Sequence, residues 1–255
     1  MWFQKRWERK RSGWARLVQQ DQGALVFLGD SITQGWGDTM GGSFPGVKVA
    51  NRGISGDTTR GVLIRLREDV LSLNPSGVVL LIGTNDLEEK ATPEVIADNL
   101  KLIIAALKKH SADMPIILCN VMPSSVAKKR PADQIEKINQ LYFAAVKGDA
   151  QVTMLDTWLL FADDKGDAKK PEFPDLLHPN KTGYAKWAAA LRPLLATHGF
   201  VETKPDNFHL EPGYVSLFNG HDLTGWGFRA KKTFKPTSTF DGKKASNDAR
   251  YVAHK

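Results

Sequence analysis

The sequence is nearly devoid of cysteine: Cys119 is the one thiol in 255 residues. That excludes an internal disulfide framework and a cysteine-based zinc site. Cys119 lies inside an apolar run and reads as a small core residue rather than a nucleophile. No apolar stretch approaches the roughly 18 residues of a membrane-spanning helix, so stable insertion is not expected. The basic N-terminus is followed by no apolar segment of signal-peptide type. No signal peptide is expected there, and the compartment stays open. No Gly-Lys-Ser/Thr follows an apolar run, so the glycines form no phosphate loop.

The middle of the chain also lacks a basic field. The formal net charge is +7. Residues 1–20 hold six Lys/Arg against one acid, and residues 201–255 hold nine against six. Residues 21–200 carry twenty basic and twenty-one acidic side chains. A near-neutral central domain gives phosphate backbones nothing to grip, so no nucleic-acid partner is expected. With 42% hydrophobic and 25% charged residues, composition is ordinary for a globular chain. The length allows one full domain and a fragment.

Residues 1–20 read as an amphipathic helix packed on the main domain, with Phe3, Trp7, Trp14 and Val18 on one face. Five short apolar runs follow, at 24–28, 47–50, 77–82, 115–121 and 152–155. Helical patterns cover 58–71, 93–110, 131–147 and 181–196. Thr92 and Pro93 supply an N-cap and first-turn proline for the second of these. Strands alternating with helices predict an α/β fold with a mainly parallel sheet covered on both faces. Ligands then sit beyond the carboxyl ends of the strands.

Polar clusters stand at those places. Gly29-Asp30-Ser31-Ile32-Thr33 follows the first run, Asn51–Asp57 the second, Gly83-Thr84-Asn85-Asp86 the third, and Asp175-Leu176-Leu177-His178-Pro179 lies beyond the fifth. Each alone is weak, since a lone serine after a strand is usually a turn or cap. Together they hold the parts for acyl transfer. Ser31 offers a hydroxyl nucleophile that needs a base. His178 is that base, since a histidine with an unperturbed pKa of about 6.5 takes and returns protons near neutrality. Asp175 can fix the imidazole tautomer. The Asn85 amide and the backbone N–H groups of Gly53 and Ser31 can receive an oxyanion. Asp30 and Asp86 could be paired carboxylates for glycosidic chemistry. The preferred reading is that each holds its own loop. A metal site around His178 is not favoured, because no second histidine stands at ligand spacing.

These four blocks, over about residues 21–198, resemble those of the SGNH (GDSL-type) hydrolases, in particular the acetylhydrolase-like branch. The resemblance implies a three-layer α/β/α, flavodoxin-like fold with a five-stranded parallel sheet. It implies Ser31 as nucleophile, His178 as base, Asp175 as orienting acid, and Ser31, Gly53 and Asn85 as oxyanion donors, with no metal or organic cofactor.

The expected organisation is the helix at 1–20, the hydrolase domain at 21–200, a linker at 201–212 and a second unit at 213–255. The run Leu217–Trp226 resembles the opening of a 3-keto-disaccharide-hydrolase-like jelly roll. The 43 residues from Gly213 are too few for its eight strands, so a truncated start is expected. Strand packing is the expected role of Trp226. The expected activity is hydrolysis of short-chain acyl esters, chiefly acetyl, with a small ester or an acetylated carbohydrate as substrate. The sugar preference rests on the tail and on Trp36 beside the nucleophile. The alternatives are a lysophospholipase or thioesterase of longer chains, or a catalytically silent sugar-binding protein. Oligomeric state is left open.

Overall fold

The computed structural model describes residues 2–202 and 239–243. The chain divides into two compact units, Met1–Thr203 and Lys204–Lys255. In the second, the described residues form a turn in which the Lys243 amide donates to the Phe240 carbonyl at 2.9 Å. The jelly-roll-like motif at 217–226, Trp226 included, lies outside the described residues, as does most of the expected linker.

The first unit is built on five strands: β1 (Leu25–Gly29), β2 (Val49–Gly53), β3 (Gly77–Leu81), β4 (Ile116–Cys119) and β5 (Val152–Leu155). They form one all-parallel sheet in the order β2-β1-β3-β4-β5. Its helices are α1 (Trp2–Ala15), α2 (Ser31–Gly35), α3 (Thr59–Asp69), α4 (Thr84–Glu88), α5 (Pro93–His110), α6 (Ala132–Val146), α7 (Thr157–Phe161) and α8 (Lys181–Thr197). This is the flavodoxin-like three-layer α/β/α arrangement. The strand order reverses between β1 and β3, where such sheets open a crevice at the strand ends.

The continuous apolar runs are explained by burial on both faces. Strand side chains alternate. Val26, Leu28, Val78, Leu80, Ile116 and Leu118 face α3, α5 and α6 in one core. Leu25, Phe27, Val79, Leu81, Ile117 and Cys119 face α8 in the other. Each fully buried aliphatic side chain contributes about 1.5–3 kcal/mol. Burial also pushes the Cys119 thiol up to about 12, against a weaker opposing bond from Trp187, which leaves it inert near neutrality.

β2 sits further along the chain than its apolar signal. It takes in Asn51 and Arg52, whose polarity disguises a buried strand end. The Asn51 amide donates to the carbonyls of Thr33 and Gly37 at 2.8 and 2.9 Å. Arg52 donates to the Asp69 carbonyl and pairs with Asp21 at 2.7 Å. α1 ends at Ala15, short of residue 20, and turns follow. Its Trp14 is buried, with the guanidinium carbons of Arg52 and Arg65 at 5.0 and 5.6 Å from the ring centroid. Arg11 reaches Asp69 at 2.8 Å. α1 thus contacts the domain through cations and an aromatic ring together.

Candidate active site

The polar clusters after β1, β2 and β3 and before α8 meet at the carboxyl edge of the sheet. β1 ends at Gly29, where only glycine fits: a Cβ would stand 2.3 Å from the Leu81 carbonyl oxygen and the Thr33 hydroxyl. Asp30 then caps α2, its Oδ1 accepting the Ile32 amide at 2.8 Å. Ser31 is the first residue of that helix. Its amide is among those that a helix start leaves without an internal acceptor.

His178 lies 147 residues on, yet its Nε2 is 2.9 Å from Ser31 Oγ. Its Nδ1 is 2.8 Å from Asp175 Oδ2. The other oxygen of Asp175 accepts the amides of Leu177 and His178 at 3.1 and 2.8 Å. Partial burial raises the Asp175 carboxyl. The amide and ring of His178 and the Leu177 amide outweigh that and bring it down to about 2. The turn forces Leu176 into the left-handed region at φ 62°, which costs roughly 1–2 kcal/mol for a side chain of this kind. Ser124 Oγ, donating to the Leu176 carbonyl at 2.8 Å, pins it there.

Two helices bring the serine and histidine together. Asn180 caps α8, accepting the Gly183 amide at 3.0 Å. Tyr184 on α8 donates to the Ile32 carbonyl of α2 at 2.8 Å. A Cβ at Gly35 would fall 2.6 Å from that Tyr184 oxygen. Trp36 stacks on Trp187 at 4.5 Å and on Tyr184 at 5.4 Å. This corrects one sequence expectation. Trp36 is only 5% exposed and works as core, so it offers no platform for a sugar ring.

The Asn85 side chain is buried, with Nδ2 donating to the Asp57 carbonyl at 2.9 Å and Oδ1 accepting from Arg130 at 2.8 Å. One amide N–H of Asn85 is thereby left over. Gly53 differs from expectation. Its amide already donates to Asn51 Oδ1 at 2.9 Å. A Cβ there would stand 2.3 Å from the Gln34 amide nitrogen. Gly53 therefore serves the close approach of β2 to α2 rather than offering a free donor. Three residues on, Gly56 turns at φ 85°. Among the described residues its amide meets no acceptor. The clue in the sequence was its place immediately before Asp57, in a turn only glycine enters freely.

Buried carboxylates brace these loops. Asp57 pairs with Arg65 at 2.7 Å, both fully buried. Arg65 Nη2 also donates to the carbonyls of Gly29 and Arg52 at 3.1 and 2.8 Å, tying β1 to β2. Asp86 accepts the Thr59 amide and hydroxyl, so it also ties its loop to the start of α3. Burial raises Asp86 to about 6 against those bonds. Asp30 goes up to about 7, chiefly by burial and then against the Ile32 amide. Both carboxylates are spent on structure, which removes the glycosidic pair. Among the described residues no three His, Cys, Asp or Glu side chains converge as metal ligands.

The GDSL-like Lipase/Acylhydrolase family model matches residues 27–186, which contain all four clusters. The chain is 28% identical over 197 residues to the human (Homo sapiens) platelet-activating factor acetylhydrolase IB subunit alpha2, covering 74% of this chain and 83% of that one. A GDSL-like lipase from Bacteroides thetaiotaomicron superposes with a TM-score of 0.64 at 25% identity, over 76% of this chain and 97% of the other. A variant of an acetyl-xylooligosaccharide esterase from Geobacillus shares the fold at a TM-score of 0.55 and 22% identity, over 71% and 97%. With the strand order, the meeting of the four clusters and a match over most of the first unit, the chain belongs to the GDSL-like lipase/acylhydrolase family.

Proposed function

We propose that the protein is a serine esterase of short-chain acyl esters, chiefly acetyl, working through Ser31, His178 and Asp175. The observation that carries the reading is the unbroken relay from Ser31 Oγ to His178 Nε2 at 2.9 Å and from Nδ1 to Asp175 at 2.8 Å. Ser31 Oγ attacks the ester carbonyl as His178 takes its proton. Asp175 holds the N–H tautomer at Nδ1 and stabilises the imidazolium. The oxyanion is received by the Ser31 amide, the spare N–H of Asn85 and the Gly56 amide. Gly56 replaces Gly53 here because the Gly53 amide is engaged by Asn51. His178 returns its proton to the leaving alcohol, and water repeats the cycle on the acyl-enzyme. No step calls for a metal or organic cofactor.

The acetyl preference is supported by the acetylhydrolase relative at 28% identity. A carbohydrate as the alcohol rests on the tail motif at 217–226 alone, since Trp36 is withdrawn. The test is the initial rate on p-nitrophenyl acetate for the native protein and Ser31→Ala, followed by a series to the octanoyl ester. The expected result is turnover that Ser31→Ala abolishes and that falls with chain length. Equal rates in the two proteins would remove Ser31 from the mechanism. A rate rising toward octanoyl would point to the longer-chain lysophospholipase or thioesterase reading.

A further inference from the structure

Arg130 is nearly all buried, in the loop that leads from β4 to α6. All three of its nitrogens donate. Nε donates to the Thr84 carbonyl at 3.1 Å, and Nη1 donates to the Lys128 carbonyl. Nη2 donates to Asn85 Oδ1 at 2.8 Å and to Glu88 Oε2 at 2.7 Å. The guanidinium therefore holds two successive residues, Thr84 by its backbone and Asn85 by its side chain. An amide side chain can flip about its last bond, exchanging oxygen and nitrogen. A cation at Oδ1 allows only the orientation that sends Nδ2 toward Asp57 and the oxyanion.

We infer that Arg130 is a positioning residue for ester hydrolysis: it fixes the Asn85 amide and polarises it into a stronger oxyanion donor. The inference rests on the esterase reading above. A charge-assisted hydrogen bond is roughly twice as strong as a neutral one. Drawing electron density to Oδ1 makes the opposite N–H more acidic, and this matters most when the oxyanion carries full charge. The benefit falls on the transition state and not on the bound ester, so kcat carries it and KM does not. Arg130 meets neither the reacting atoms nor the base. Its charge does reach the nucleophile turn: burial raises Asp30, and Arg130 is among the groups that pull it down.

The experiment is a double-mutant cycle on p-nitrophenyl acetate with Arg130→Met, Asn85→Ala and the pair, with Tm measured for each. Asn85→Ala is expected to lower kcat by roughly 10²–10³. Arg130→Met is expected to lower it by roughly tenfold, a part of that donor's worth, with KM within about twofold. In the Asn85→Ala background the same change is expected to cost less than about twofold, because its target is gone. A full, additive loss in both backgrounds would overturn the inference and leave Arg130 as a loop anchor. So would an unchanged kcat in Arg130→Met. Should Arg130→Met not fold, Arg130→Lys carries the same cycle, since it keeps the charge but cannot hold two acceptors in a fork. If Asn85→Ala costs nothing, or Ser31→Ala retains turnover, the esterase reading fails instead.

Discussion

Two acid–base pairs of nearly equal length stand at the carboxyl end of the sheet, in opposite surroundings. Arg65–Asp57, at 2.7 Å, is wholly buried under the ends of β1 and β2. His178–Asp175, at 2.8 Å, is more than two-fifths exposed on both side chains. The buried pair is tied through Arg65 Nη2 to the carbonyls of Gly29 and Arg52 and fixes the loop shapes. The exposed pair keeps one imidazole nitrogen for the serine and can exchange its proton. Burial turns charge into rigidity, and partial exposure leaves charge free to do chemistry. The site needs both, because the proton relay is only as precise as the loops beneath it.

The comparison breaks most visibly through activity. His178→Ala is expected to cut esterase turnover by about 10⁴-fold or more, with little change in Tm, and Asp175→Asn to cut it by about 10²–10⁴. Steady-state rates beside thermal melts check this. A large loss of Tm in His178→Ala would mean that the exposed pair is structural too. With Asp175 ionised down to about 2, that carboxyl is expected to give the rate no acid limb between pH 3 and 5. A depressed carboxyl contributes stability above its unfolded pKa and loses it as pH falls through about 2. An Asp175-dependent limb between pH 3 and 5, absent in Asp175→Asn, would contradict that.

Arg65→Met is the converse. It strands the Asp57 charge among buried groups, and a loss of about 3–5 kcal/mol in urea unfolding is expected. Asp30→Asn sharpens the contrast further. The raised Asp30 carboxyl stays protonated in the fold at pH values where the unfolded chain has ionised. Its contribution is complete below the unfolded pKa and is lost as pH rises toward about 7. Asp30→Asn should therefore raise Tm at pH 8, by about 3 °C for each kcal/mol recovered, and not at pH 4. The same Tm gain at both pH values would show that burial of the ionised form is not the cause. The smallest effect belongs to Arg60–Glu89, at 3.5 Å and exposed on both sides. Arg60→Ala is expected to cost no more than about 0.5 kcal/mol.

Much of this was legible in the sequence because it is local. Five apolar runs became five strands, and polar clusters directly after them became the site, since a parallel sheet sends successive strand ends to one edge. Asp175 and His178 share one turn, so their spacing carried their geometry. What stayed hidden depends on distant partners. β2 was displaced because Asn51 and Arg52 look exposed until Thr33, Gly37, Asp69 and Asp21 satisfy them. Trp36 looked like a ligand platform until α8 placed Trp187 on it. Which of Gly53 and Gly56 has a free amide depends on Asn51, which engages that of Gly53. Arg130 belongs to no pattern at all; its meaning appears only where it meets Asn85, 45 residues earlier.

The 147 residues between Ser31 and His178 also set a clock. A ribosome adding about 5–20 residues per second takes roughly 7–30 s to cross that gap. Through that interval the nascent chain carries Ser31 without His178. The histidine is then seated only after α8 emerges and lays Trp187 against Trp36. The contact between Ser31 and His178 is therefore completed only near the end of this domain's synthesis.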